Sequence, residues 1–173
     1  MHKIVAALAF FACSETEPAA PCPGARSAEP GSAVYTDPES FVPLSDGDTV
    51  WLVFGGQGGF HVWHSLRAGG VERAATVVRH VERVADGLVL FDNAPGDRLD
   101  LVADDDACRL EYAQPSFVSN TDARDQDVFL EASVDDGSGP VTGRVRVHVV
   151  CPPPGTDDGS GNDVAEFCAS DKF

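Results

Sequence analysis

Gln57, His61, Trp63 and Arg67 are the side chains whose types and spacing come nearest to chemistry in this chain. They lie in Gly55 to Arg67, Gly-Gly-Gln-Gly-Gly-Phe-His-Val-Trp-His-Ser-Leu-Arg, a glycine-dense turn running straight into an aromatic and histidine segment. Gly55, Gly56, Gly58 and Gly59 permit positive φ angles and close approach of a ligand or a second backbone, and Gln57 places a donor and an acceptor at the tip. On an extended strand the period of two puts His61, Trp63, Ser65 and Arg67 on one face and Phe60, Val62, His64 and Leu66 on the other. The first set makes a candidate ligand face, with Trp63 as a stacking platform for a sugar or an aromatic group. The second set is mostly apolar and belongs inside. A plainer reading also holds: glycine in strand connections commonly serves the turn, with Gln57 and His61 satisfying neighbouring backbone groups.

Neutral imidazole binds copper or zinc, so His61 and His64 draw attention as metal ligands. Three residues apart on a strand, they point to opposite faces and cannot share an ion. The workable alternative is His61 with His80 or His148. No Cys/His spacing suggests a zinc site, and the acidic turns Asp104–Asp106, Asp135–Asp136 and Asp157–Asp158 do not match the alternating acidic loop of an EF-hand. The glycine turn lacks the Lys-Ser/Thr of a phosphate loop, and Ser65 lacks a nucleophile-elbow sequence. No catalytic residue and no cofactor are assigned, and the chain is expected not to be an enzyme. A formal charge of -16, with 12 Lys+Arg against 28 Asp+Glu, excludes a nucleic-acid partner for want of a basic face.

These residues need strands to position them. Thr49–Phe54 is a β-branched and aromatic run of strand length, with Trp51 read as core or as the edge of an inter-sheet contact. Ala74–Ala85 fits either a helical stripe or a strand; its valines and the following Asp86-Gly87 favour a strand hairpinned to Leu88–Phe91. Leu99–Ala103 and Cys108–Ala113 are short strands, whereas Pro115–Asp127 reads as a polar loop. The clearest hairpin is last: Val128–Val134 and Val141–Val150, with Val145, Val147 and Val149 on one face and Arg144, Arg146 and His148 on the other. Some seven short strands without an amphipathic helix predict an all-β fold, an antiparallel β-sandwich of immunoglobulin or fibronectin type, a small barrel being the alternative.

At 173 residues there is room for one ordinary domain. Residues 1–12 combine a basic start with an apolar run too short to cross a bilayer, and they resemble a bacterial lipoprotein signal in which Cys13 is acylated. That resemblance implies a membrane partner through a lipid anchor, with Ser14 compatible with the outer membrane; secretion or a periplasmic location is the alternative. Residues 13–31, rich in Glu, Pro, Ala, Ser and Gly, are expected to form a flexible tether, residues 32–151 the domain, and residues 152–173 a C-terminal tail. Setting Cys13 aside leaves Cys22, Cys108, Cys151 and Cys168, an even number suited to two disulfides in an oxidising compartment. Three pairings exist; loop closure favours Cys151 with Cys168, which would pin the tail.

The run Phe-Val-Pro-Leu, Asp-Gly-Asp, Gln-Gly-Gly, aromatic, His-Val-Trp between residues 41 and 63 resembles a pattern of uncharacterised bacterial cell-envelope lipoproteins. The resemblance covers about residues 34 to 67 and implies an envelope location and a β-sandwich. It implies no activity. The expected role is therefore a binding or structural module, with a protein or glycan partner at the cell surface.

Overall fold

Alternation of apolar and polar residues becomes strand along most of the chain in the computed structural model, which describes residues 19–55, 58–156 and 164–170. The expected signal segment 1–12, Cys13 and Gln57 lie outside the described residues. Twelve strands and two short helices are described: β1 Ser27–Val34, β2 Asp37–Pro43, β3 Asp48–Trp51, β4 Val53–Phe54, β5 Phe60–Gly69, β6 Ala74–Arg83, β7 Val89–Asp92, β8 Asp97–Asp104, β9 Ala107–Leu110, β10 Gln114–Val118, α1 Asn120–Ala123, β11 Gln126–Asp135, β12 Pro140–Val150 and α2 Val164–Ala169. The all-β expectation is met. The strands pair in the order β2-β1-β5-β9-β8-β6-β11-β12-β3, with β4 and β10 also on β5 and β7 also on β6.

Every pairing is antiparallel except β12 with β3, which run parallel with Val149 opposite Val50, so the sheet is mixed. The purely antiparallel expectation fails here because a period of two fixes which face a side chain takes, not which way the neighbouring strand runs. Specific bonds seat β3: Gly47 N–H donates to Arg146 O at 2.9 Å and Leu52 N–H to Val150 O at 2.8 Å. The Arg146 amide in turn donates to the Asp46 carboxylate at 2.9 Å.

Residues 74–83 are strand, not helix: Ala75, Val77, Arg79 and Val81 are buried in strict alternation. The Asp86-Gly87 turn closes the β6–β7 hairpin, with Arg83 N–H donating to Leu88 O at 2.8 Å and Gly87, at φ 71°, donating to Arg83 O. The last hairpin forms as expected, Val134 opposite Val141, with Val145, Val147 and Val149 inward. Its turn is held by the Asp135 carboxylate, which accepts from the amides of Gly137 and Gly139.

Two apolar clusters make the core. One gathers Val50, Leu52, Phe60, Val62, Val81, Val128, Leu130, Val145, Val147 and Val149; the other gathers Leu66, Val71, Val77, Leu101, Leu110 and Val134 around Cys22 and Cys108. Strand β1 crosses β12 so closely that a β-carbon at Gly143 would lie 2.1 Å from Ala28 O. Only glycine admits that approach.

Three local expectations are corrected, and a fourth is met. The tether expected over residues 13–31 does not extend to residue 31, because Cys22 is bonded to Cys108 and residues 27–31 pair with residues 65–69 of β5. At Gly31 the lack of a side chain reflects crowding, since a β-carbon there would strike the Phe41 ring at 2.3 Å. The loop expected over residues 115–127 contains β10 and α1; Pro115 and Ser116 masked an alternation in which Ser116 and Val118 point inward. Trp51 is 39% exposed, with its neighbours Val50 and Leu52 inward, and its ring lies against Tyr35 at 6.5 Å. The tail is ordered at α2 by the expected Cys151–Cys168 bond.

Candidate functional site

The glycine-dense turn builds a seat for one ring. Gly55 N–H donates to Gly59 O at 3.0 Å and Gly58 N–H to Gly55 O at 2.9 Å, closing the turn between β4 and β5. Gly58 and Gly59 hold φ of 82° and 102°, a region that β-carbons disfavour. Val53 then pairs with His61 and Phe54 with Phe60. Gly55 consequently falls on the same face as His61, and a β-carbon there would lie 3.2 Å from the imidazole. The ring therefore packs tightly over Gly55, and a larger residue there would push it outward by a few tenths of an ångström.

On the other side of β5, Phe117 of β10 pairs with His61 and Pro115 with Trp63. The His61 ring meets Trp63 edge-on at 4.8 Å and Phe117 at 5.7 Å. It is only 5% exposed, whereas Phe117 is 46% exposed. Among the described residues neither His61 nitrogen has a hydrogen-bond partner, and the buried Trp63 Nε1 and Ser65 Oγ on the same face have none either. Burial alone lowers the His61 pKa to about 4, so the imidazole is neutral near pH 7, one nitrogen a donor and the other an acceptor. Leaving such groups without partners costs about 1–3 kcal/mol each.

Of the four candidate ligand residues, the structure places His61, Trp63 and Arg67 on one face of β5, while Gln57 is outside the described residues. Arg67 is already engaged, its Nε 3.2 Å from the Asp104 carboxylate and its Nη2 on Asp106. Its charge is therefore largely spent within the fold, and the remaining face is neutral.

The metal set does not converge. His80 lies 3.3 Å from the Asp92 carboxylate and His148 2.8 Å from that of Asp127. Both occupy the outer face of the β6–β11–β12 ladder, His80 opposite Glu131 and His148 opposite Asp127. Two strand spacings across and four residues along separate them by roughly 16 Å. His61 belongs to a different ladder. Among the described residues no three His, Cys, Asp or Glu side chains are grouped to hold an ion.

A polar cluster that sequence reasoning missed lies inside. His64 and Ser116 are fully buried, with His64 Nδ1 3.3 Å from Ser116 Oγ. Buried Arg79 sends Nη1 to Pro115 O and Nη2 to the Asp97 carboxylate, both at 3.2 Å, with its guanidinium over the Phe91 ring. Arg79 thereby ties β6 to β10 and β8. Its burial was legible in the alternation with Ala75, Val77 and Val81, had the charge not suggested solvent. Burial, with Arg79 and His80 nearby, drives the His64 pKa down to about 3. An imidazole so reluctant to take a proton, sealed from water beside a sealed hydroxyl, positions strands and is a poor general base at neutral pH.

No protein-family profile matches the chain, and no curated protein sequence matches it. Among solved structures it is similar to the CooA pilin subunit from enterotoxigenic Escherichia coli, with a TM-score of 0.32 and 9% identity over 73% of this chain and 99% of that one. A likeness that distant carries neither a topology nor a role across.

Proposed function

We propose that this chain is an exported, lipid-anchored envelope protein of the lipoprotein family its 41–63 pattern resembles, with one non-enzymatic immunoglobulin-like β-sandwich that binds a neutral saccharide on the outer face of β5. The observation that carries the binding role is the aromatic cluster of Trp63 and the exposed Phe117 ring against His61, lying over buried polar atoms of His61, Trp63 and Ser65 that have no hydrogen-bond partner among the described residues. Neutral donors and acceptors beside aromatic rings suit hydroxyl groups and C–H faces better than they suit a charged ligand. Two disulfides support export to an oxidising compartment. Inward-facing apolar clusters and the tight passage of β1 over β12 support a closed two-layer arrangement. Eight residues lie between Cys13 and Cys22, so an acyl group on Cys13 would hold the domain within about 30 Å of the bilayer.

A glycan array probed with wild type, Trp63→Ala, Phe117→Ala and the remote surface control Leu88→Ala tests the binding role. Binding should fall at least about tenfold in the first two variants and persist in the control, in line with the weight of aromatic anchors. Equal binding by all four proteins would remove the site from β5. For the anchor, labelled palmitate should enter wild type and not Cys13→Ser; a wild-type product that stays soluble and unlabelled refutes lipidation.

A further inference from the structure

We infer that Cys151–Cys168 is a site of thiol–disulfide exchange for a small dithiol, and that its opening releases α2 from the core. The two disulfides differ in access. Cys22 and Cys108 are both buried, at 4% and 0% exposure, and so is Cys168, but Cys151 is partly exposed at the end of β12. Exchange requires a thiolate to reach a sulfur in line, so the bond containing Cys151 is the one that reacts in the folded protein.

What that bond holds is small. The six residues of α2 are too few to persist as an isolated helix. They are docked by Val164, Ala165 and Cys168, by the Phe167 ring stacked on Phe54 at 5.0 Å, and by bonds from Asn120 Nδ2 and Arg124 Nη1 to Cys168 O at 3.2 and 2.8 Å.

The step balances as follows. One thiolate of the dithiol attacks Cys151 Sγ, the Cys151–Cys168 bond breaks, and Cys168 departs as thiolate and takes a proton. The second thiol, deprotonated in turn, attacks the mixed disulfide and releases Cys151, which is then protonated. The dithiol is oxidised by two electrons and the protein is reduced. Losing the cross-link of a loop of this length weakens α2 docking by roughly a hundredfold. Phe54 is then uncovered on the hairpin that seats His61.

The test is a dithiothreitol titration of the folded wild-type chain without denaturant, with alkylation of free thiols, peptide mass spectrometry and amide hydrogen exchange. Cys151 and Cys168 should be alkylated together at a reductant concentration that leaves Cys22–Cys108 intact. Amides of residues 164–170 should then lose roughly a hundredfold of protection while those of β11 and β12 keep theirs. Opening of Cys22–Cys108 first or simultaneously, or selective opening of Cys151–Cys168 with α2 still protected, overturns the inference.

Discussion

Acidification from pH 7 to pH 5 should destabilise the folded chain by about 4 kcal/mol, through two histidines that the fold keeps neutral. His61 and His64 have pKa values lowered from 6.5 to about 4 and about 3, chiefly by burial. Because the folded values are depressed, the unfolded chain takes up protons first. The stabilisation is complete above pH 6.5 and is lost as pH falls toward the folded values. At pH 5 each group stands about 1.5 units below its unfolded pKa and above its folded one, which gives about 2 kcal/mol apiece. Against a typical stability of about 5–15 kcal/mol, that is a large share.

The carboxylates act in another window. Asp86 is held at about 2 by Arg83 and the Leu88 amide, and Asp136 is held lower still by Arg26 and backbone amides, so their contribution fades only below about pH 4. Urea unfolding at constant ionic strength, with disulfides intact, should give a free energy that drops by about 2.7 kcal/mol per pH unit near pH 5 from these two groups. Comparing wild type with His61→Gln cancels every group common to both and should remove about half of that slope. Identical slopes would mean that His61 is not buried and neutral, and the account of the β5 face would fall with it.

Gly143→Ala should destabilise by about 3 kcal/mol or more, because the new carbon meets Ala28 O at 2.1 Å and backbone cannot swing aside; thermal unfolding reads it directly, and a neutral result would refute the close crossing of β1 and β12. Arg79→Met keeps length but removes the bond to Pro115 O; with Asp97 52% exposed and able to hydrate, a loss of about 1–3 kcal/mol is expected by urea titration. Cys22→Ser with Cys108→Ser removes a link spanning 86 residues and should cost about 4–5 kcal/mol, with proteolysis between residues 22 and 27 appearing as β1 frays. Unchanged stability in that double variant would show that β1 pairing holds without the bond.

Much of the fold was legible where one face of a strand is dry and the other wet. The β11–β12 hairpin and the two faces of β5 follow from Val145, Val147 and Val149, and from Phe60, Val62 and Leu66, because burial on one side enforces the period. Less was legible where small or polar residues are buried. Residues 27–31 have little apolar surface yet lie packed in β1, since Gly31 leaves room for the Phe41 ring and Gly143 of β12 leaves room for the Ala28 carbonyl. Ser116 and Arg79 are polar and inward, so hydropathy gives the wrong side for both. The parallel placement of β3 depends on Asp46 and Gly47 meeting Arg146, a contact about a hundred residues away that no local pattern encodes. At the candidate site, the row of His61, Trp63 and Arg67 came from spacing alone. Arg67's neutralisation by Asp104 and Asp106 came from a turn between two other strands.

The Cys22–Cys108 bond also decides how the domain bears tension. A pull arriving from the N-terminal side reaches residue 22, and there it passes through sulfur into β9, a strand flanked by β5 and β8. Strand β1 lies downstream of that junction, so its hydrogen bonds to β5 are not opened one at a time like a zip. Covalent chain and the interior of the sheet carry the load instead, and the outermost strands go slack.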